Sequence, residues 1–557
     1  MTAATHEIDP VLVERWADRV RLALLAGGAL ALIASGAAAF GMHQDPSIGP
    51  AQLQVGIFGL LLLLAGIARA PSREIGRLLV RARERQTPPA LIPLTRRSRL
   101  GLTSVVLFAF IFRLWMALTY APTNQMAMGM TLGDAEMARN LLAGRGWVLN
   151  EDFVKRVDRA VVERGAMVDP QDYLPADDAR PGALRPFDRY AHTPGYSLWL
   201  ALSFAIGGAQ RFLYSQVMQS ALDASACLLV FGIGRRLWSN TAGVIGASIY
   251  ALSPAHVYLA IQTVAAATDS FWVLIVAYGI VRTWDDSRRR RSAFAGTALV
   301  VIGAFGGTVM NSVAFVLPFA SALWAGAVGI VARPAWRVVA PLLVAQILVM
   351  ALLMPWALRN QRVHGQLAFT RQTFWQFAWE TLGAVPNPWG LAMGNSDAVY
   401  WSWVAANCPT PCSPIEREAT TRDYLFRHVF ASEAFPGHLL RVIAHQLPGL
   451  VYVSRLPADE PYTREGLAGR VTQAGVAVAN AAMLLMWPAA LCGLALVTVR
   501  GRDGMGGWLG LAPTLFIVAF SLTFLVEHRR TTTAYGYLVA LAAIPGAAML
   551  ERHAEHH

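Results

Sequence analysis

TVAAATDSFWVLIVAYGIVRTWDDSRRRR, residues 263–291, decides the fold. Residues 263 to 282 are almost entirely apolar, and roughly 20 such residues are what a helix needs to cross a bilayer core. The run then ends in four consecutive arginines, Arg288 to Arg291. Positive charge of this kind is retained on the cytoplasmic side of a span, so the motif fixes both a crossing and its direction. Other apolar runs end the same way, at Arg235 and Arg236, at Arg333 and Arg337, and at Arg500 and Arg502.

The whole composition agrees with this reading. The chain has 557 residues, 55% of them hydrophobic and only 15% charged, against about 25% charged in ordinary soluble domains. Mean hydropathy is +0.42. The net charge of +12 comes almost wholly from arginine, since Lys155 is the only lysine. A pI near 9.9 would ordinarily suggest nucleic acid, but these arginines border apolar runs, so membrane topology accounts for the charge and no nucleic-acid partner is expected. Four cysteines rule out a disulfide-rich scaffold, and Cys227 and Cys492 lie within apolar runs.

Working outward from the arginine markers gives an all-α polytopic bundle of about 12 spans with two large external loops carrying juxtamembrane helices. Residues 1–99 form a transmembrane hairpin followed by a basic cytoplasmic loop from Arg69 to Arg99. Residues 100–356 form the transmembrane core and include a first external loop, 121–212. Residues 357–470 make a second external loop with amphipathic helices, and 471–557 hold the last spans. The segment 195–209 is short and follows Pro194, so it is expected at the external face as a juxtamembrane or re-entrant helix. EHRR, Glu527 to Arg530, falls outside and so breaks the charge rule.

Chemistry-bearing residues collect on that external face. Just past the third expected span the chain reads GDAEMARNLLAGRGW, 133–147, placing Asp134 and Glu136 at the start of a helix. An acidic residue there serves capping and the helix dipole as readily as catalysis. Arg113 and Asp223 lie inside expected spans, where ionisable groups are costly and usually paired, so they are read as a structural ion pair. Cys408 and Cys412, in NCPTPCSP, are expected to form a disulfide in the second external loop. No spacing of His, Cys, Asp or Glu suggests a metal site, and no cofactor is expected.

The order of several segments resembles a known family. GDAEMARNLLAGRGW is similar to the first external loop of GT-C-fold membrane glycosyltransferases, the family that includes protein O-mannosyltransferases and lipid A aminoarabinose transferases. AHTPGYSLWLAL (191–202) is similar to that family's His-Pro-Pro juxtamembrane segment. GRRLWSNTAGVIGASIYALSPAHVYLA (234–260) resembles its second and third core spans, with Asp269 at an acidic position opening the next. PWALRNQRVHGQLAF (355–369) resembles the segment leaving the seventh core span, and EHRRTTTAYGYLVALAAIPG (527–546) is a weaker echo. The usual adjacent Asp-Glu pair is interrupted here by Ala135, Thr193 replaces the first proline, and Asn311-Ser312 stand where relatives carry a basic residue before proline.

The resemblance implies a sugar donor carried on polyprenyl phosphate and a glycan, lipid or protein hydroxyl as acceptor. The chemistry then needs few groups. A lipid phosphate leaves readily once its charge is stabilised, and the acceptor hydroxyl needs a base within hydrogen-bond reach. Asp134 is the expected base, with Glu136 as the alternative, in an inverting single displacement. Arginine's planar fork suits phosphate, which nominates Arg359, Arg529 and Arg530, with Arg371 as a weaker candidate; each could instead snorkel to headgroups. His192, Asp269 and Trp375 are candidate substrate contacts, and membrane lipids are expected partners. His256 is a weaker candidate of the same kind. The expected location is the bacterial inner membrane or plasma membrane, with the site facing the periplasm or outside. A transporter or flippase for a lipid-linked sugar is the competing reading, to be recognised by repeated halves or broken helices.

Overall fold

The computed structural model describes residues 10–41, 56–57, 59–64, 67–84, 93–94, 96–120, 128–150, 184–186, 193–207, 211–312, 314–370, 374–392, 397–408, 412, 414–450, 466–524 and 528–556. These residues are overwhelmingly helical. The N-terminal helices are α1 (Pro10–Gly41), α2 (Arg69–Glu84), α3 (Arg96–Tyr120) and α4 (Met128–Leu142). Strands β1 (Val148–Asn150) and β2 (Leu184–Pro186) follow, pairing antiparallel with Leu149 opposite Arg185.

The core then runs through α5 (Gly195–Gly207), α6 (Arg211–Leu237), α7 (Asn240–Leu252), α8 (Pro254–Ala260), a 3-10 turn (Ala265–Thr268), α9 (Asp269–Arg288), α10 (Phe294–Asn311), α11 (Leu317–Val331) and α12 (Val339–His364). A layer of shorter helices follows, of α13 (Phe374–Leu382), α14 (Asp397–Asn407), α15 (Pro414–Tyr424), a π-helical turn (Leu425–Phe430) and α16 (Phe435–Gln446). The chain ends with α17 (Gly466–Thr498), α18 (Met505–Gly510), α19 (Ala512–Phe524) and α20 (His528–His556).

Among the described residues eight helices are long and apolar enough to cross a membrane, or nine if the bent pair α7 and α8 counts as one span. Twelve spans were expected. Of the remainder, residues 21–41 lie within α1, residues 52–69 are described only in part, and α11 is a 15-residue apolar helix. The 13 residues of α5 are likewise too few to cross, as expected of a re-entrant or juxtamembrane segment. The expected span 241–258 is broken: Ser253 and Pro254 interrupt it, and the two halves bend by 59°. Proline supplies the physical cause, because it cannot donate a backbone hydrogen bond and fits the first turn of a new helix instead.

Burial orders the bundle. In the best apolar windows, α9 is 78% and α20 is 72% buried, against 22% for α3, so α9 and α20 are central and α3 is peripheral. α9 and α10 pack tightly through glycine. A Cβ on Gly279 would lie 2.9 Å from the Gly296 carbonyl oxygen, and one on Gly303 would lie 2.9 Å from that of Trp272. Small residues let two helix backbones approach where lipid offers no hydrophobic drive for association.

Arg113 and Asp223 form the buried pair expected, with Nε 2.5 Å from Oδ2. The structure adds its purpose. Arg113 Nη1 also donates to the Ala251 carbonyl (3.1 Å) and Nη2 to that of Tyr250 (3.5 Å), two carbonyls at the C-terminal end of α7, the latter also accepting from the Ser253 N–H (3.2 Å). Tyr250 Oη donates to Asp223 Oδ1 at 2.6 Å, and the His256 ring lies 4.2 Å from that of Tyr250. The broken span is thus held by a closed polar network inside the bundle.

The layer of shorter helices, α13 to α16, has its own core of Trp379, Leu382, Tyr400, Val404, Leu425, Val429 and Val442. Cys408 and Cys412 are joined by a disulfide, with Cα atoms 5.7 Å apart. Mass spectrometry of alkylated, unreduced protein is expected to find neither cysteine alkylated; recovery of both as alkylated thiols would contradict the bridge. His438 Nε2 meets the Leu382 carbonyl at 2.7 Å, and burial pushes this histidine below its ordinary range.

Candidate active site

Two ends of the bundle differ in chemistry. One carries the arginine markers, with Arg236 bound to Asp285 (2.7 Å) and Arg500 donating to the Leu237 carbonyl (3.0 Å). The other carries the candidate site, where α4, α5, the 3-10 turn, and the ends of α9, α10 and α20 converge.

Asp134 lies on α4, which starts at Met128, six residues earlier. It is therefore well inside the helix, and the capping explanation expected from sequence does not apply. Its carboxylate is buried, 4% exposed, and Oδ1 accepts a hydrogen bond from Ser197 Oγ at 2.7 Å. Glu136 is buried too, but it is engaged on its own helix: Arg139 Nη1 lies 2.8 Å from Oε2 and Asn140 Nδ2 donates to Oε1 at 3.1 Å. Two residues apart on a helix, the carboxylates face different directions. Asp134 turns toward α5, while Glu136 joins Arg139 and Asn140, whose Nδ2 also holds the Val148 carbonyl at 2.6 Å.

The start of α5 is pressed against α10. A Cβ on Gly195 would lie 2.7 Å from the Val309 carbonyl oxygen, so only glycine allows this approach. The contact sets Ser197 beside Asp134 and brings both near the end of α10, where Asn311 Nδ2 donates to Asp269 Oδ2 at 2.6 Å. Asp269 is buried and opens α9, where a carboxylate also suits the helix dipole. The chain ahead of it is pinned by glutamines from α6. Gln216 Nε2 donates to the Ile261 carbonyl at 2.7 Å, and Gln219 Nε2 donates to those of Ala260 (3.1 Å) and Gln262. Gln219 Oε1 in turn accepts from Tyr196 Oη at 3.2 Å and Ser215 Oγ at 3.0 Å.

Arg359 sits at the far end of α12, stacked over Trp356 at 4.9 Å and hydrogen-bonded to Asn360 Oδ1 at 3.1 Å. Trp356 meets Trp147 edge to face at 5.5 Å, which ties Arg359 to the loop leaving α4. Asp134, Asp269 and Arg359 thus share one end of the bundle. Arg529 and Arg530 fall in the first turn of α20, which packs against the 3-10 turn preceding Asp269; their side chains lie outside the described residues. His192 and Arg371 also lie outside them.

Trp375 belongs to the layer of shorter helices, α13 to α16. Its ring packs against Phe374 (4.8 Å) and Phe426 (5.4 Å), and its backbone N–H donates to Glu418 Oε2 at 2.8 Å. His256 lies in the Arg113 network, with Nδ1 2.8 Å from Ser253 Oγ. No group of three or more potential metal ligands occurs among the described residues.

Sequence reasoning missed Ser197, Gln216, Gln219, Trp147 and Trp356. Gln216 and Gln219 carried a usable signal, since amides inside an apolar span need buried partners. Ser197 carried none, because its importance comes from the fold of α5 against α4.

No model of a known protein family matches this sequence, and no curated protein matches it. Among solved structures, the apo crystal structure of the Archaeoglobus fulgidus oligosaccharyltransferase is similar over 82% of this chain and 51% of its own, at 11% identity and a TM-score of 0.42. The chain spans about half the length of that protein.

Proposed function

We propose that this chain is a membrane glycosyltransferase that moves a sugar from a polyprenyl-phosphate donor to a hydroxyl acceptor at the face carrying Asp134. One observation carries the reading: a buried carboxylate, oriented by Ser197, shares the end of the bundle with Arg359 and with the Asp269–Asn311 pair. The resemblance of residues 100–450 to GT-C enzymes supports the same class.

In this mechanism Asp134 accepts the proton of the acceptor hydroxyl as its oxygen attacks the anomeric carbon. The bond from that carbon to the phosphate oxygen breaks, and polyprenyl phosphate leaves with its charge met by Arg359 and, in the first turn of α20, Arg529 and Arg530. The pairing of Glu136 with Arg139 and Asn140 supports Asp134 as the base, with Glu136 as the alternative. A single displacement inverts the anomeric centre; NMR of product against donor is the check, and retention would contradict the one-base mechanism. The face concerned is the external or periplasmic one, opposite the arginine-rich end.

Arg359→Ala is expected to lower turnover or donor binding by about 10- to 100-fold, the worth of a charge-assisted hydrogen bond of about 1.5–3 kcal/mol. Arg77→Ala and Arg81→Ala, at the other end, should leave both within about twofold. Equal losses from both sets would point to general headgroup contact.

The broken span favours a second reading. Discontinuous helices with buried ionisable groups are a transporter feature, and the break at Ser253 with Arg113 and Asp223 beside it is of that kind. Purified protein with a polyprenyl-phosphate sugar separates the two: the enzyme forms a new glycosidic bond and releases polyprenyl phosphate in detergent, whereas a transporter leaves the donor intact.

A further inference from the structure

At the arginine-rich end, one carboxylate serves three guanidinium groups. Asp285 Oδ2 meets Arg236 Nη1 at 2.7 Å, and Oδ1 lies 3.3 Å from Nη2 of both Arg288 and Arg289. Beside it, Asp286 pairs with Arg282 at 3.5 Å. In these ion pairs among the described residues four cations face two anions, and the side chains are only 11–35% exposed, so solvent screens the excess poorly. Arg235 on α6 and the exposed Arg290 and Arg291 add further positive charge around them.

Arg289 shows where the deficit lies. Its Nε and Nη2 are buried and complete no hydrogen bond among the described residues. These two nitrogens form one edge of the guanidinium fork, the edge that grips a phosphate or carboxylate with two parallel bonds. Backbone hydrogen bonds close the turn that carries Arg289: its N–H donates to Asp285 O, Arg290 N–H to Ser287 O and Arg291 N–H to Asp286 O, with Arg290 at a left-handed φ of 56°. A helix C-terminus and the retained-charge rule account for arginines here, but not for a buried fork whose Nη2 has only the shared Asp285 carboxylate at 3.3 Å and whose Nε completes no hydrogen bond among the described residues.

We infer that Arg289, with Arg236 and Arg288, binds the phosphate of an anionic phospholipid headgroup at the arginine-rich end of the bundle. The phosphate supplies Nε with an acceptor, gives Nη2 a better-placed one than the shared Asp285 carboxylate, and offsets the charge excess. A lipid rather than a free anion is favoured by position: the turn joins two membrane spans, α9 and α10, and Phe294 beside it is 78% exposed, an apolar ring suited to the acyl boundary. The site is far from the donor chemistry at the opposite end and does not depend on it.

The test uses full-length protein in nanodiscs and in detergent, reading retained phosphatidylglycerol by native mass spectrometry. Native protein should bind phosphatidylglycerol about tenfold more tightly than Arg289→Gln does, with phosphatidylcholine bound no better by either. Arg289→Lys keeps the charge but not the fork and should show the same loss, so full retention by this variant would overturn the assignment. It also guards against a folding defect in the Gln variant, since a folded Lys variant suffices. Arg96→Gln, at the same end but outside the cluster, should bind normally; equal loss there would mean diffuse attraction and no site. Inorganic phosphate should fail to displace the lipid at concentrations near those of the lipid itself. Displacement would assign the fork to a free phosphate and reject the lipid.

Discussion

Asp134→Asn is expected to lower sugar transfer by about 10²- to 10⁴-fold while leaving the protein folded, because the loss is that of a general base. The amide keeps the size of the carboxylate and can still accept the Ser197 hydroxyl's hydrogen bond, made at 2.7 Å in the native protein. It cannot take a proton. The measurement is turnover of a polyprenyl-phosphate sugar by detergent-purified protein, with donor affinity read separately by equilibrium binding. A fall in kcat with donor binding preserved is the expected pattern, since the base acts on the acceptor. Glu136→Gln provides the contrast: it disturbs the pairing with Arg139 and Asn140, so its effect should appear in melting temperature more than in kcat. Full turnover by Asp134→Asn would remove Asp134 from the role. A dead Glu136→Gln of native stability would transfer the role to Glu136.

The second large effect is on stability. Arg113→Leu should destabilise the bundle by about 3–5 kcal/mol, because it leaves Asp223 as an uncompensated charge in a dry interior. Both partners are essentially fully buried, and the substitution also removes the Arg113 hydrogen bonds to the Ala251 and Tyr250 carbonyls. Asp223→Leu should cost a similar amount for the converse reason. The double replacement should recover much of the loss, since neither charge then remains, although the Ala251 and Tyr250 carbonyls stay without Arg113. Thermal melts of the four proteins in one detergent form the cycle. If the single variants each melt within a degree or two of native, the pair is not what holds the broken span.

How much of this could be read from sequence differs from element to element. The apolar run ending at Arg288–Arg291 was enough to identify a candidate span, because a helix of about twenty mostly apolar residues suits the bilayer core. The Arg113–Asp223 pair was legible for a related reason: a buried charge must find a partner. The Cys408–Cys412 disulfide was legible because four residues of separation keep the two close. Helix starts were not. Asp134 was placed at a helix N-terminus, yet α4 begins at Met128, since apolar residues upstream continue the helix without any capping signal. The break at Ser253 was also missed, because Pro254 reads equally as a kink within a span or as the start of a new helix.

The sequence by itself determined that this is a helical membrane protein, and which of its ends gathers positive charge, since both follow from local composition acting against a bilayer. Only the tertiary structure showed what each carboxylate meets, Asp134 a serine from another helix and Glu136 an arginine and an asparagine of its own, because contacts between segments far apart in the chain are not written in local composition. Ser197 reaches Asp134 across 63 positions, and it does so because Gly195 lets α5 close onto α10. The sharing of Asp285 by Arg236, Arg288 and Arg289 is likewise tertiary: a run of arginines looks the same in sequence whether each is solvated or three of them crowd one carboxylate.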